Sequence, residues 1–400
     1  MPALNNGISG LNAASSKLDA ISNNIANANT TGFKSKNVQF ADVFSSTGIG
    51  GGVYVSDVST DYAQGALNST SSVLDMAIQG NGFFITSDAS GNTTYTRAGN
   101  FEIDKDGNVV NSQGLNVKGY GVDGNGNPIT GSLKELNIDT SDKAAKASSV
   151  ATLKANLDAR AKAVTVSPLD PSNKNTYTST TSTIAYDSQG VAHTVTSYYI
   201  KKDSPANTWE VHYRADNGAS DIATATLTFD ANGKLTSTAP SPISVAVPAG
   251  GAGTLNLKMD LTGITQYGSD FNVNTNKADG YAPGSYTGIT ISDKGEIFAT
   301  YSNGQTKLQG VVAIATFPNQ GALADAGNTS WKATIESGDP ITHIPGEGSA
   351  GSIKSKSLEN SNVDSTAELV DMVVAQSSYQ ANAKTISASN QMTQTLINAI

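Results

Sequence analysis

Two terminal stretches govern the organisation of this chain: MPALNNGISGLNAASSKLDAISNNIANANTTGF at residues 1–33 and TAELVDMVVAQSSYQANAKTISASNQMTQTLINAI at residues 366–400. The first carries aliphatic residues seven positions apart, with two more on the same side: Leu4, Leu11, Leu18 and Ile25, with Ile8 and Ile21. The second carries two rows with the same spacing: Met372, Tyr379, Ile386, Thr393 and Ile400, and beside them Leu369, Gln376, Ala383, Asn390 and Ile397. A repeat of seven is the seam of a coiled coil. Each end is therefore predicted to form one amphipathic helix, and the two helices are predicted to pack on each other.

The outward faces of both predicted helices are nearly uncharged. Lys17 and Asp19 are the only charged residues before Lys34, and only Lys384 follows Asp371. The small and amide side chains found there suit burial against other helices better than contact with water. Ordering such long segments costs more backbone entropy than one apolar stripe recovers. We therefore expect both ends to be mobile in the monomer and ordered in an assembly. The alternative is an ordinary pair of core helices that closes a globular domain.

These patterns predict an assembly interface on the two ends of the chain. Its residues are Leu4, Ile8, Leu11, Leu18, Ile21, Ile25, Leu369, Met372, Tyr379, Ala383, Ile386, Leu396, Ile397 and Ile400. Gly32 is the predicted stop of the first helix. The polar stretch that follows contains a cluster of glycines: Gly48, Gly50, Gly51 and Gly52. Because glycine gives the backbone unusual freedom, we predict a flexible joint here; the other interpretation is a close backbone contact.

The composition narrows the class of protein. With 400 residues the chain can form two or three domains, and its 39 glycines and low aromatic content suit β-domains with many turns. The net charge is −9 and no basic stripe is present, so nucleic-acid binding is not expected. Cysteine is absent, which excludes disulfides and thiolate chemistry. We find no conventional signal peptide and no apolar run long enough to span a membrane.

A recurring turn pattern predicts antiparallel sheets between the two ends. An apolar residue, a polar residue, two variable residues and a glycine follow one another at residues 103–107, 186–190, 229–233 and 291–295. The polar residue, Asp or Ser, can accept hydrogen bonds from the backbone ahead of it, and glycine can adopt the left-handed conformation. Four copies of this short hairpin signal predict at least two β-domains.

The composition of the β-rich middle changes twice along the chain, which indicates a domain inserted into another. Residues 143–167 are rich in Ala, Lys and Ser, and residues 176–261 are rich in Thr and Val. From about residue 289 the sequence again resembles the β segments that precede residue 143. The predicted fold class is mostly β with an α-helical terminal coiled-coil domain, in a nested multidomain chain. The predicted domains are a helical core with an extended linker at 1–70 and 359–400, an inner β-domain at 71–144 and 283–358, and an inserted outer β-domain at 145–282.

Several short motifs resemble those of bacterial flagellar rod and hook proteins. ISNNIANANTTGFK at residues 21–34 resembles their N-terminal signature, and SYQANAK at residues 378–384 resembles their C-terminal helix motif. Four β segments are similar to their shared β-domain: QGNGFF at 79–84, YTRAGNF at 95–101, GNVVN at 107–111 and YSNGQ at 301–305. Together the matches cover both ends and the flanking β segments, in the same order as in the family. Residues 176–261 carry no such signature.

The resemblance implies a structural subunit without catalysis or a cofactor. The large insert at about 145–282 favours the hook subunit; the alternative is a distal rod subunit with an extra domain. The family implies a curved, flexible tube of many copies that transmits motor torque to the filament. It also implies an extracellular place in the flagellar hook and basal body, reached through the type III export apparatus without a cleaved signal peptide. Besides copies of itself, the implied partners are rod, hook-cap, hook-length control and hook–filament junction proteins, with no nucleic acid and no small-molecule substrate.

Motifs for other chemistry are weak in this sequence. Residues 119–124 match G-x-G-x-x-G, but Asn-Gly-Asn-Pro follows them where a dinucleotide site needs a helix, so a turn is predicted. Residues 104–108 resemble the start of a calcium loop but lack the glycine and glutamate that complete an EF-hand, so a hairpin turn is predicted, with a weak cation site as the alternative. His193, His212 and His343 do not pair at metal-ligand spacing, and His193 and His212 are predicted to be surface or packing residues. A secreted polysaccharide hydrolase would need a pair of acidic residues that we do not find, and an adhesin would bind surfaces without polymerising.

Overall fold

The computed structural model describes residues 2–44, 50–124, 126–239 and 242–398. Two α-helices stand at the ends, α1 (Pro2–Ala26) and α2 (Ser365–Asn398), and the described residues between them form strands, turns and three short 3-10 turns. The chain divides into two compact units. Unit 1 comprises Met1–Thr140, Gly288–Thr300 and Thr306–Ile400, and unit 2 comprises Ser141–Thr287 and Tyr301–Gln305. This architecture confirms the predicted class, a β-rich chain with helical ends.

Twenty-nine strands lie between the helices within the described residues. The first ten are β1 (Lys36–Asp42), β2 (Val53–Thr60), β3 (Leu67–Ser69), β4 (Met76–Gln79), β5 (Phe83–Ser87), β6 (Thr93–Thr96), β7 (Phe101–Ile103), β8 (Val109–Asn111), β9 (Asn116–Val122) and β10 (Pro128–Glu135). The next ten are β11 (Val150–Asp158), β12 (Ser179–Tyr186), β13 (Ala192–Lys201), β14 (Thr208–Ala215), β15 (Ala223–Phe229), β16 (Leu235–Ala239), β17 (Ile243–Pro248), β18 (Thr254–Asp260), β19 (Thr265–Tyr267) and β20 (Asn272–Ala278). The last nine are β21 (Tyr286–Ile291), β22 (Glu296–Tyr301), β23 (Thr306–Val312), β24 (Ile314–Thr316), β25 (Ala324–Gly327), β26 (Ser330–Lys332), β27 (Ile341–His343), β28 (Ser352–Ser355) and β29 (Ser357–Glu359).

Helix α1 ends at Ala26, before the predicted stop at Gly32. The asparagines that follow offer the backbone other hydrogen bonds, and such side chains compete with helical pairing. Asn27 Nδ2 donates to the carbonyl of Asn23, and Asn24 binds both backbone groups of Lys36. The chain then turns until Gly32, whose φ of +69° is the left-handed conformation that glycine accepts most readily.

Helix α2 begins with a side-chain cap. The Asp364 carboxylate accepts hydrogen bonds from the amides of Thr366 and Ala367, which satisfies backbone donors that the first turn leaves free. Glu368 adds a negative charge in that turn, where the helix dipole favours it. The predicted start at Thr366 is therefore correct to within one residue.

The polar stretch after α1 forms a hairpin instead of a single returning strand. Strands β1 and β2 pair antiparallel, from Lys36 opposite Thr60 to Asp42 opposite Val53, with a bulge after Gln39. The hairpin lies against α1, because Val53 N donates to Ser9 Oγ near its tip and Asn24 holds Lys36 at its base. The helix and the hairpin thus form one packed element.

The body of unit 1 is an antiparallel sheet system closed by the far end of the chain. Strand β4 pairs with β28, so that Ile78 lies opposite Ile353, and β3 pairs with β29. Two apolar clusters fill the interior, one around Phe84, Phe101 and Val109 and the other around Phe83, Trp331 and Tyr95. Unit 1 is therefore completed only when residues just ahead of α2 join strands that follow α1.

Unit 2 is a sandwich of two five-stranded sheets. One is a meander in the order β12-β13-β14-β15-β16, and the other has the order β17-β18-β11-β19 with β20 beside β11. Their facing sides enclose a single core around Trp209, Tyr199 and Tyr213. The alternating burial along β17 and β18 is the period-2 pattern of strands with one face in a core.

All four predicted hairpin turns are present. Gly107, Gly190, Gly233 and Gly295 have φ between +72° and +86°, and each glycine amide donates to the carbonyl of the polar residue three positions earlier. In the first turn the Asp104 carboxylate accepts bonds from the amide of Asp106 and from the amide and side chain of Asn108. These bonds, the Asn108 side chain foremost, hold the pKa of Asp104 below its ordinary value. The turn interpretation of residues 104–108 is confirmed.

Candidate assembly interface

The two terminal helices pack antiparallel along a stripe of small and polar residues. A Cβ at Gly7 would lie 2.8 Å from Ile386 Cγ1, and one at Gly10 would lie 2.8 Å from the Asn382 amide. Further along, Lys17 Nζ is 3.9 Å from Asp371 Oδ2, and Asn24 Nδ2 donates to Glu368 Oε1 over 2.8 Å. Residue numbers therefore rise along α1 as they fall along α2, so the two helices run in opposite directions. The glycines allow the two backbones to approach each other closely.

On α1, the residues that contact α2 stand one position earlier in the sequence than the predicted row of aliphatic residues. The printed contacts involve positions 7, 10, 17 and 24, whereas the predicted row contains Ile8, Leu11, Leu18 and Ile25. Leu4, Leu11, Leu18 and Ile25 are half-buried, Ile8 is exposed, and Ile21 is buried as expected of a seam residue. The prediction that large aliphatic residues form the α1–α2 seam is therefore wrong in register, because small residues occupy the closest approach and the leucines flank it.

On α2 one predicted row lies on the contact side and the other does not. Met372 and Ile386 are half-buried, and Tyr379 is 38% exposed between them. In the second row Ala383 is half-buried, whereas Leu369 and Ile397 are 53% and 67% exposed. The side chain of Leu396 and the whole of Ile400 lie outside the described residues. The true companion row runs one residue earlier, through Glu368, buried Ala375 and Asn382.

The first turns of α2 expose an apolar face that the heptad reading missed. Leu369, Val370, Val373 and Val374 are between 53% and 62% exposed. They stand at spacings of one, three and four, so they share one side of the helix. Four aliphatic side chains are exposed to water there, and exposed apolar residues grouped on one side of a helix are a candidate interaction surface. The apolar pairs 369–370 and 373–374 were the signal in the sequence, hidden by the search for a strict repeat of seven.

The glycine cluster lies at the tip of the hairpin that packs on α1. Asn6 Nδ2 donates to the carbonyl of Gly50, and the amide of Gly51 donates to the carbonyl of Val43. Gly52 has a φ of +111°, and a Cβ there would lie 2.3 Å from Ser9 Oγ. Gly50 has open space around its Cβ position, and Gly48 lies outside the described residues. Gly52 makes a close backbone contact, as the second interpretation predicts, and the flexible joint stays a prediction.

A buried ionic cluster joins the segments that lead into and out of the helices. Lys34 Nζ lies 2.6 Å from Glu359 Oε1 and donates to the carbonyl of Ala63 at the same distance. Arg97 Nη1 lies 3.3 Å from the other carboxylate oxygen, and the amide of Gly65 donates to the first. The side chains of Lys34 and Glu359 are 0% exposed and that of Arg97 is 3% exposed. Two cations therefore share one carboxylate, and the cluster connects four segments of unit 1.

Burial dominates the electrostatics of this cluster. It lowers the pKa of Lys34 and that of Arg97, and the Glu359 carboxylate opposes both shifts. The Arg97 guanidinium also stacks over the Phe83 ring, with Cζ 5.4 Å from the ring centre. Such a cluster stabilises only while every charge keeps its partner. Lys34 and Arg97 lie in the motifs that carried the family resemblance, but Glu359 gave no signal in the sequence.

No feature of a catalytic or metal site emerges from the part of the chain that the structure describes. Within residues 2–44, 50–124, 126–239 and 242–398, no group of three or more His, Asp or Glu could hold a metal ion. Neither described helix is long and apolar enough to cross a membrane. The charged residues around Glu359 form a buried ionic cluster.

Four family models match successive parts of the chain. They are "Flagella basal body rod protein" at residues 4–34, "Flagellar hook protein FlgE/F/G D1 domain" at 77–168, "Flagellar basal body protein FlaE D2 domain" at 156–281 and "Flagellar basal body rod FlgEFG protein C-terminal" at 354–399. Relatives that match along their full length distinguish between a rod subunit and a hook subunit. The chain is 37% identical to the flagellar hook protein FlgE of Escherichia coli K12, over 99% of each chain. It is 33% identical to FlgE of Rhizobium meliloti, over 98% of this chain and 97% of that protein.

The chain belongs to the flagellar hook protein family. It is a hook subunit, and not a rod subunit with an extra domain, because relatives that match along their whole length, middle domain included, are named hook proteins. Members of this family are structural subunits that polymerise in the flagellar hook and basal body, and they are not enzymes. A crystal structure of the Helicobacter pylori hook protein FlgE2 shares the fold, with a TM-score of 0.58 at 16% identity over 73% of this chain and 100% of that one.

Proposed function

We propose that copies of this chain form a curved, flexible hook tube through two different surfaces of the terminal helix pair. One surface is the half-exposed α1 stripe of Leu4, Ile8, Leu11, Leu18 and Ile25. The other is the exposed α2 face of Leu369, Val370, Val373 and Val374, which carries this proposal. In the tube the α1 stripe of one copy covers the α2 face of the next.

The pairing of unlike surfaces follows from where the seam lies. Gly7, Gly10 and Asn24 turn one side of α1 toward α2, and Glu368, Ala375 and Asn382 turn one side of α2 toward α1. Leu369 and Val373 lie away from that seam, so the stripe and the face of one copy cannot cover each other. A contact between two different surfaces of identical copies is heterologous, and it generates an open helical array when the rotation does not close.

The remaining expectations about the hook extend this proposal. The tube transmits motor torque while bending, and the glycines at the hairpin tip give its subunits freedom to adjust. The subunit leaves the cell through the type III export apparatus without a cleaved signal peptide and acts outside the cell. Rod, hook-cap, hook-length control and hook–filament junction proteins are its proposed neighbours.

Substitution on the α2 face tests the assembly surface. We expect Val373→Asp to abolish tube formation by purified protein, seen by electron microscopy, because a charge cannot be buried there without a partner. Val373→Leu keeps the surface apolar and should still polymerise. Circular dichroism and the unfolding of unit 2 should be the same in both variants. If Val373→Asp forms normal tubes, the α2 face is not the assembly surface.

Cysteine cross-linking tests which surfaces meet, and it is clean because the chain has no cysteine. Single variants at Ile8, Leu11 or Leu18 are each mixed with Val373→Cys, polymerised and oxidised. We expect one mixture to give a disulfide-linked dimer that neither variant gives alone. Tubes in which only like variants cross-link, or in which no mixture cross-links, would refute the α1–α2 pairing while leaving the hook function intact.

A further inference from the structure

His193 in unit 2 lies between two carboxylates that belong to different turns. Its Nδ1 is 2.8 Å from Asp216 Oδ2, and its Nε2 is 3.4 Å from Asp187 Oδ2. Asp187 lies in the turn between β12 and β13, and Asp216 follows β14. The side chains of His193 and Asp187 are 11% and 3% exposed, so water competes little for the Asp187 contact, whereas the Asp216 side chain is 49% exposed. The ring therefore bridges two loops of the meander.

Each carboxylate also holds its own loop in shape. Asp187 Oδ1 accepts hydrogen bonds from the amides of Gln189 and Val191, and Asp216 Oδ1 accepts one from Thr194. Asp216 has a φ of +50°, a conformation that a non-glycine residue adopts only when its surroundings hold it there. The loop after β14 is thus strained and depends on what Asp216 binds.

The protonation state of the ring decides how many loops it can hold. Imidazolium donates from both nitrogens, whereas neutral imidazole donates from one and presents a lone pair at the other. If the neutral ring keeps the shorter bond to Asp216, its Nε2 lone pair faces the buried Asp187 oxygen. A buried carboxylate that loses its donor is destabilising.

We propose that His193 is a proton-operated clamp, which holds the turn at Asp187 and the turn at Asp216 together when protonated and releases one of them when it loses the proton. The charged groups that face the ring are Asp187 from the β12–β13 turn and Asp216 from the segment after β14. The hydrogen bond to Asp216 does most to raise the pKa of His193 above its ordinary value, burial opposes it, and Asp187 supports it. The meander of unit 2 thereby responds to the pH of the medium.

The sign of the response follows from that shift. Because the folded pKa is raised, the clamp contributes its full stability below the unfolded pKa of about 6.5 and loses it as the pH rises through the folded value. Each unit of difference between the two pKa values changes the local opening constant about tenfold.

Nuclear magnetic resonance of the full chain can test the clamp directly. The sequence has three histidines, so ring labelling gives three signals that single substitutions assign. We expect the pKa of His193 to lie above the ordinary histidine value of about 6.5, because the carboxylates of Asp216 and Asp187 favour the protonated ring. Asp216→Asn should lower the pKa of His193, because it removes one of the two carboxylates that favour the protonated ring. If the pKa of His193 in the unaltered chain is no higher than about 6.5, or if Asp216→Asn leaves it unchanged, the clamp is refuted.

Hydrogen exchange tests whether the loops respond. Protection of the Val191 and Thr194 amides, relative to their intrinsic rates at each pH, should fall between pH 6.5 and the measured His193 pKa. It should be independent of pH in His193→Gln and unchanged from the parent chain in His343→Gln. Protection that is flat with pH in the parent chain overturns the proposal without involving any variant.

Discussion

Lys34 and Glu359 form a fully buried ion pair, 2.6 Å between Nζ and Oε1, and so join the segment that follows α1 to the last strand before α2. Arg97 shares the same carboxylate from the end of β6. The two ends of the chain are therefore connected through the β-sheets of unit 1 as well as through the helix seam. This arrangement predicts where unit 1 is most sensitive to substitution.

Loss of either member of the Lys34–Glu359 pair should destabilise unit 1. We expect Glu359→Gln to lower its free energy of unfolding by about 3–5 kcal/mol, because the buried cations Lys34 and Arg97 both lose their carboxylate. Lys34→Met should cost about 1–3 kcal/mol, because Arg97 still pairs with the carboxylate but buried acceptors lose the Lys34 donor. Urea unfolding followed by Trp331 fluorescence measures this, in a Trp209→Phe background because the chain's other tryptophan is in unit 2.

The partly exposed Lys36–Asp325 pair provides the matched control. Lys36→Met should cost about 0–1 kcal/mol, since solvent screens such pairs. Equal losses for Lys34→Met and Lys36→Met would mean that the buried cluster has no special structural role.

Enlarging a seam glycine should separate the terminal helices. A Cβ at Gly7 already lies 2.8 Å from Ile386 Cγ1, so Gly7→Leu is expected to cost about 1–3 kcal/mol by overpacking, although leucine favours the helix over glycine by about 1 kcal/mol. The depolymerisation temperature of assembled tubes should fall. Asn12→Leu, on the exposed side of α1, is the control and should leave it unchanged. Equal temperatures for the two variants would show that α1 and α2 do not meet at Gly7.

The hairpin glycines should differ in their effects. An alanine Cβ at position 50 meets no atom within 4 Å, so Gly50→Ala should stabilise the fold by about 0.4–1 kcal/mol through the lower entropy of the unfolded chain. If the hairpin tip is a joint, the same restriction of the backbone should stiffen the tube. Gly52→Ala would place its Cβ 2.3 Å from Ser9 Oγ and should detach the hairpin from α1. Electron microscopy of hook curvature and tracking of swimming cells measure both. Unchanged curvature and normal swimming in Gly50→Ala would argue against a joint.

Asp279 should control the acid stability of unit 2. Burial would raise its pKa, but hydrogen bonds from the amides of Val150 and Ser149 outweigh burial and lower it well below the ordinary value. Asp279 therefore stabilises the fold above the unfolded pKa of about 3.9, and this contribution is lost as the pH falls through the folded value.

We expect Asp279→Asn to lower the melting temperature of unit 2 at neutral pH and to flatten its decline in acid, as measured by calorimetry. Asp203→Asn, at an exposed turn, is the control and should follow the parent chain at every pH. If the melting temperature falls equally with decreasing pH in Asp279→Asn and in the parent chain, this carboxylate has no role in acid stability.

Local chemistry made the turns and helices predictable from the sequence. The four hairpins follow from an Asp or Ser that binds the backbone ahead and a glycine that accepts positive φ, and both properties belong to a few adjacent residues. The helices follow from apolar periodicity, which depends only on spacing. Their existence was therefore predicted correctly, and so was the β-rich middle.

Contacts between distant residues were beyond the reach of such patterns. The heptad argument assigned the seam to the largest residues, but closest approach favoured Gly7 and Gly10, which carry no hydrophobic signal. Glu359 resembles any surface glutamate until the fold places it between Lys34 and Arg97. Val373 and Val374 break the repeat of seven, and they become a surface only once the side of α2 that faces α1 is known.

The pairing of Ile78 with Ile353 also determines the order in which the chain can fold. Closing so long a loop is entropically costly and slow, whereas the meander of unit 2 forms from neighbouring hairpins. A chain diluted out of denaturant should regain the meander first and join its two ends last. The terminal helices, which carry the proposed assembly surfaces, are then the last part of unit 1 to mature, and this order would keep half-folded chains from associating too early.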